Sequence, residues 1–227
     1  MEPKLISISE EHDLFKFTLS NINVSLANAL RRTILSDIPV LVLGTDVYKD
    51  NACAIEINTG RLHNELVKQR LGNIPVHVSN QKELETFPRD YVLEVDVKND
   101  GDTTKIVTTE DFKIKHKETG KYMAKEEVKT IFPANSLTGY YIDVVRLRPQ
   151  IGTSIQGEQL KLVCDFNVST SRQNGMYSVV SKCVYSNTPD LTKIDEAWEQ
   201  KRQRLLKEGV TEDELKMEQK NFYLLDA

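Results

Sequence analysis

Few side chains in this sequence have the types and spacing that chemistry requires. Cys53 with His63 or His77 could form a thiol nucleophile and its base, but no third residue stands ready to orient the base and no oxyanion-hole motif accompanies them. His63-Asn64-Glu65 imitates the His-x-Glu of zinc deaminases, yet the Pro-Cys-x-x-Cys that completes such a site is absent. Glu65 is better read as an interface or capping acid. There is no glycine-rich phosphate loop and no carboxylate cluster of the kind that holds catalytic metal ions. The most basic run, Lys201-Arg202-Gln203-Arg204-Leu205-Leu206-Lys207, is interleaved with Glu196, Glu199 and Glu208, the pattern of a salt-bridged, solvent-facing helix. What remains is recognition chemistry. Arg31 and Arg32 are adjacent, so on a helix of about 3.6 residues per turn they diverge by about 100°. One of them must flank a packed surface, where a planar guanidinium can bind carboxylates or carbonyls of a partner.

The element that positions them has both ends written in. Asn23 is an N-cap, and Asp37-Ile38-Pro39 ends the helix, because the residue before a proline leaves the helical region and Pro39 has no N–H to donate. Between them Leu26, Leu30 and Ile34 recur four apart with Ala27 and Thr33 beside them, which draws one apolar stripe; Ala29 is small enough for another backbone to approach. Upstream, Leu5, Ile6 and Ile8, a turn at residues 10–13, and alternating Phe15, Phe17 and Leu19 predict a β-hairpin. Downstream, Val40-Leu41-Val42-Leu43 predicts a buried strand running toward Val47 and Tyr48.

A second helix is expected after Asn58 or Thr59 as cap, with Leu62/Leu66 and Val67/Leu71 four apart and Gly72 stopping it at the C′ position. Residues 91–97 alternate as a strand, and Asn99-Asp100-Gly101-Asp102 predicts a turn that returns residues 104–108 as its hairpin partner. A short hairpin is expected around residues 118–121, and strands at 140–147, 158–168 and 176–186. Past Pro189 a charged helix over residues 194–207 is stopped by Gly209, and Thr211-Glu212-Asp213-Glu214 opens another with a capping-box pattern. The chain ends on apolar residues 222–225, which read as the start of a strand.

Composition narrows the class. A net charge of −4 and a pI near 5.7 disfavour a protein whose main work is gripping a nucleic-acid backbone. At 39% hydrophobic and 28% charged residues the chain is globular, and it has neither a membrane-length apolar run nor a signal peptide. Three scattered cysteines, Cys53, Cys164 and Cys183, make neither a disulfide framework nor a zinc site, so a reducing compartment, nucleus or cytoplasm, is expected.

The string Asn28-Ala29-Leu30-Arg31-Arg32, continuing into Thr33-Ile34-Leu35-Ser36-Asp37-Ile38-Pro39, resembles the signature of the α-like subunits of cellular RNA polymerases. These are the bacterial α subunit, the archaeal D subunit and the third-largest subunit of eukaryotic RNA polymerase II. A second stretch, Asn58-Thr59, Leu62, Glu65, Arg70-Leu71-Gly72 and Ile74-Pro75, is similar to the segment downstream of the signature in eukaryotic and archaeal members. The resemblance covers residues 5–190 and is strongest over 21–75.

It implies an α+β dimerisation domain interrupted by an inserted, mostly β domain. The dimerisation domain would take residues 1–48 and 159–227, with the insert at 49–158. It also implies a non-catalytic assembly platform that pairs as a heterodimer with a smaller subunit of the same fold and recruits the second-largest catalytic subunit. A small zinc-binding subunit docks alongside, and direct contact with nucleic acid or membrane is not expected. The implied partner interface comprises Leu26, Asn28, Ala29, Leu30, Arg31, Arg32, Thr33, Glu65 and Arg70. Leu26, Ala29, Leu30 and Thr33 would line the pairing surface or the core beneath it, and the two arginines would hold acidic or backbone groups of a partner.

Two departures stand out. Some relatives carry a cysteine cluster in the insert, whereas Cys53 is the insert's single cysteine here, so no metal or cofactor is expected. Relatives also finish with a further strand and a long helix, and this sequence stops near where they should begin, as a truncated chain would. A divergent source such as a large DNA virus encoding its own polymerase, with location in the virion or viral factory, fits these departures. The competing reading is a stand-alone soluble β-rich protein, a small hydrolase using Cys53.

Overall fold

The computed structural model describes residues 2–12, 14–45, 51–78, 80–152 and 154–223. In chain order the first elements are β1 (Lys4–Glu11), β2 (Leu14–Ser20), α1 (Val24–Ser36), β3 (Val40–Leu43), β4 (Cys53–Asn58) and α2 (Asn64–Gly72). Next come α3 (Gln81–Asp90), β5 (Tyr91–Lys98), β6 (Lys105–Thr108), β7 (Lys113–His116) and α4 (Lys125–Ile131). The last are β8 (Asp143–Leu147), β9 (Gln159–Ser169), α5 (Leu191–Lys207) and α6 (Glu212–Asn221). The architecture is α+β, as the sequence implies. It divides into two compact units, Met1–Asn28 with Val184–Ala227, and Ala29–Cys183.

The larger unit is organised on β9. Alternation along this strand turns Leu160, Leu162, Cys164 and Phe166 into the core. One edge of β9 takes β5, from Lys98 opposite Gln159 to Val92 opposite Asp165. β4 pairs with residues 160–164 and β3 with residues 166–169. β3 and β4 therefore succeed each other antiparallel to β9, as one edge strand interrupted by an excursion. Its neck is closed where the Ala52 N–H donates to the Gly44 carbonyl at 2.8 Å, and the Ala52 carbonyl accepts from the Asp165 N–H at 2.8 Å. β7 flanks the far side of β5. Helices α2 and α3 add Val67, Leu71, Leu84 and Phe87 to the core, the last edge-on to Phe166 at 5.5 Å. β6 and β8 form a separate two-stranded sheet.

In the smaller unit, β1 and β2 make the expected hairpin, with Leu5 opposite Leu19 and Ile8 opposite Phe17. His12 adopts φ 49° at the turn, while Asp13, also expected there, lies outside the described residues. Helices α5 and α6 are joined through Gly209 (φ 81°), and the capping box at Thr211 and Glu214 forms as its spacing predicts. Trp198 of α5 is buried, with its ring 5.6 Å from that of Phe222 and Lys201 lying over the same Phe222 ring.

Several expectations are corrected. Residues 105–108 do form a strand, but its partner is β8; β9 runs along one edge of β5, and β7 takes only Tyr91–Glu94 of the other. Asn99 enforces that choice: its amide donates to the carbonyls of Thr103 and Leu147, both at 2.9 Å, steering the chain toward β8. No strand forms over residues 176–186. β-propensity expresses fit against a neighbouring strand, and no described strand pairs with this segment, which leaves Val184 and Tyr185 exposed.

α2 starts at Asn64, not after Asn58, because Asn58 ends β4 and its amide binds the Leu62 carbonyl and Asn64 Oδ1. Gly72 is the last helical residue instead of the C′ stop; a Cβ there would lie 2.6 Å from Thr45 Oγ1, so close packing demands glycine. Phe222 and Tyr223 continue the helical path beyond α6 instead of opening a strand, and Tyr223 donates to Asp195 at 2.6 Å. Leu224 and Leu225, like Val47 and Tyr48, lie outside the described residues. Helices α3 and α4 have no counterpart among the elements expected from the sequence. No helix among the described residues is long and apolar enough to cross a membrane.

Candidate partner-binding surfaces

α1 is built as its sequence requires. Asn23 Oδ1 accepts from the Ser25 N–H at 2.8 Å, and the Asn23 carbonyl starts the helical ladder to Ala27. At the other end Ser36 Oγ donates to the Arg32 carbonyl. Arg172 ties this end down: its guanidinium lies 2.8 Å from Asp37 Oδ1 and its N–H donates to the Ser36 carbonyl. The helix stops before Pro39, as expected.

What α1 lacks is burial: none of its thirteen residues is buried. At about 100° per residue two faces separate. Ala27, Arg31, Ile34 and Leu35 are half-buried on one side, whereas Leu26, Ala29, Leu30 and Thr33 are exposed on the other. Leu26 is 52% and Leu30 39% exposed. The core role left open for these four residues is therefore excluded in the isolated chain. The two arginines diverge as their adjacency demands, Arg31 half-buried and Arg32 exposed, and Asn28 is half-buried.

The hairpin shows a second uncovered surface. Ile8, Phe15 and Phe17 share one face through the register, while Ser7, Ser9, Lys16 and Thr18 share the other. Every residue of β1 is exposed, and Ile6 is 65% exposed at the register shift. An isolated two-stranded hairpin is marginal in water, so an apolar face of this kind needs a cover. The alternation of the hairpin residues is a sufficient signal for this surface, yet none of them is among the interface residues that the sequence singles out.

Glu65 is exposed in the first turn of α2, where a carboxylate complements the helix dipole. Arg70, on the last turn, donates to the Val144 carbonyl at 2.8 Å and so fastens α2 to β8. That intrachain contact has no sign in the sequence.

The thiol-nucleophile alternative fails on geometry. Cys53 is 2% exposed, and the groups that perturb it are Cys164 and Lys68, not a histidine. His63 occupies the N-cap of α2 without capping it. Among the described residues no group of three His, Cys, Asp or Glu side chains could hold a metal ion.

The described residues thus make an α+β chain with a well-packed sheet and with an apolar helix face and hairpin exposed. The family model described as the RNA polymerase Rpb3/Rpb11 dimerisation domain matches residues 16–218, and the chain belongs to that family. It is similar to subunit 3 of DNA-directed RNA polymerases II, IV and V of Arabidopsis thaliana, 35% identical over 74 residues, which is 33% of this chain and 21% of that protein. Subunit Rpo3 of the DNA-directed RNA polymerase of Pyrococcus furiosus is 35% identical over 69 residues, 30% of this chain and 24% of its own length. Subunit rpb3 of RNA polymerase II of Dictyostelium discoideum is 32% identical over 79 residues, 35% and 24% respectively. The matched stretch thus spans about a quarter or less of each relative.

Proposed function

We propose that this chain is a non-catalytic assembly subunit of a multisubunit DNA-directed RNA polymerase, which pairs with a smaller homologous subunit and then receives the second-largest subunit. The observation that carries this reading is α1, a helix of the family's dimerisation domain that buries none of its own residues. Leu26, Ala29, Leu30 and Thr33 supply the apolar centre of the pairing surface, and the exposed hairpin face of Ile8, Phe15 and Phe17 is a separate apolar surface for a partner. Asn28, Arg31, Arg32 and Glu65 supply the polar contacts that fix orientation. Arg70 acts by holding α2 against β8. A small zinc-binding subunit docks on the same platform. In this division of labour residues 1–48 and 159–227 serve pairing and residues 49–158 are the insert. The net charge of −4 keeps the chain off the nucleic-acid backbone, and its unbridged thiols suit the reducing nucleus or cytoplasm.

The test is co-expression with the smaller homologous subunit and then light scattering on the eluted complex. A one-to-one heterodimer is expected, with the chain alone poorly soluble or self-associated. A chain that is monomeric and well behaved alone, and unchanged by the smaller subunit, overturns the reading.

A further inference from the structure

Cys53 and Cys164 face each other across the sheet at directly opposed register positions of β4 and β9. The hydrogen bonds around them define the kind of pair. The adjacent Asp165 N–H donates to the Ala52 carbonyl, whereas the Cys53 N–H turns to Asn51 Oδ1 at 3.0 Å instead of to β9. Cys53 and Cys164 thus occupy a non-hydrogen-bonded position, where Cα atoms approach to about 4.5 Å and side chains lie closest. That separation falls inside the window a disulfide spans, about 4.4–6.8 Å. Both thiols are unbridged and buried, and neither has a part in the surfaces described above.

We propose that Cys53 and Cys164 form an oxidisable cross-strand pair that closes to a disulfide on reaction with a peroxide. Interaction with the neighbouring Cys164 thiol lowers the pKa of Cys53; burial opposes this, and the nearby Lys68 cation adds to it. The same interaction, with burial, pushes Cys164 up. Cys53, on the edge strand β4 while Cys164 lies on the central β9, is the attacking sulfur. Its thiolate displaces one peroxide oxygen as the O–O bond breaks, giving Cys53 sulfenic acid and one water after protonation. The Cys164 sulfur then attacks the sulfenic sulfur, the S–O bond breaks, the S–S bond forms and a second water leaves. Two thiols are oxidised and one peroxide is reduced by two electrons.

Access comes from position. Cys53 lies on β4, which among the described strands pairs only with β9, so local opening of this edge exposes the sulfur while β9 and β5 stay paired. Closure fastens that edge strand to β9. The proposal is independent of the subunit reading.

The experiment treats the folded full-length chain with hydrogen peroxide, blocks remaining thiols with N-ethylmaleimide after denaturation, and maps the peptides by mass spectrometry. A linked Cys53–Cys164 peptide that dithiothreitol reverses is expected, and it persists in Cys183→Ser. In Cys164→Ser, dimedone should label Cys53. If both cysteines stay fully alkylated at a peroxide dose that oxidises the more accessible Cys183, or if either links to Cys183 instead, the proposal is overturned.

Discussion

Replacing Leu30 with glutamate separates a surface held for a partner from a surface held for the chain's own core. Fully burying a leucine stabilises by about 1.5–3 kcal/mol; with Leu30 39% exposed, a partner has roughly 1 kcal/mol of that left to gain. A carboxylate at the same place adds an unpaired charge in a closed interface, a cost of about 3–5 kcal/mol. The sum, about 4–6 kcal/mol, corresponds to roughly a thousandfold or greater loss of affinity at 1.4 kcal/mol per tenfold. In the isolated chain the glutamate reaches water, so folding should change by no more than about 0.5 kcal/mol, or about 2 °C in Tm for a chain of this size. Titration calorimetry against the smaller subunit reads the first quantity, and scanning calorimetry of the chain alone reads the second. A Tm lowered by many degrees with pairing intact would mean that the α1 face belongs to the chain's own interior, and the pairing role would have to be abandoned.

Replacing both Arg31 and Arg32 with alanine should weaken capture of the second-largest subunit by about 2–4 kcal/mol while the circular dichroism spectrum is kept; unchanged capture at physiological salt removes their assigned role. Gly157→Ala should destabilise by about 2–4 kcal/mol through overpacking and a lost buried hydrogen bond. The added Cβ would sit 1.6 Å from the Asn99 carbonyl oxygen, and backbone on both sides prevents relief. A Tm within a degree of the parent would show that the turn relaxes freely. Burial alone would raise the Glu158 pKa, but the Arg148 N–H and guanidinium hold its carboxyl below the ordinary range. A depressed folded value contributes stability that is fully present above the unfolded value, about 4.3, and is lost as pH falls through the folded one. The urea midpoint of the parent chain should therefore exceed that of Glu158→Gln at neutral pH, and the gap should close in acid; a gap independent of pH would exclude the charge as its cause.

Local chemistry makes part of this fold legible. The Asn23 cap and Pro39 stop of α1, the alternation in β5 and β9, and the Thr211 capping box depend on neighbours in sequence, and they form as read. Pairing depends on distant competitors and is not legible in the same way. The turn at residues 99–102 has a good signal, but the Asn99 amide, bonded to the Thr103 and Leu147 carbonyls, sends the following strand to β8. α3 is hidden because only Leu84 and Phe87 of its ten residues are buried and Pro88 lies inside it. Of the candidate surface, spacing places Leu26, Leu30 and Thr33 on the exposed face of α1 but misplaces Ala27 and Ile34, which fall on the half-buried one, and the engagement of Arg70 by the Val144 carbonyl requires the fold to bring together residues far apart in the chain.

The bridge between Gly44 and Ala52 shuts the excursion at its base, and Thr45 Oγ1 clips one stem of that base to the Lys68 carbonyl at 2.8 Å. Registration of β3 and β4 on β9 is consequently held at this clasp. Doubling the length beyond the clasp would cost only about 0.6 kcal/mol in closure entropy. Residues inserted between Gly44 and Ala52 should therefore leave β3 and β4 in register on β9.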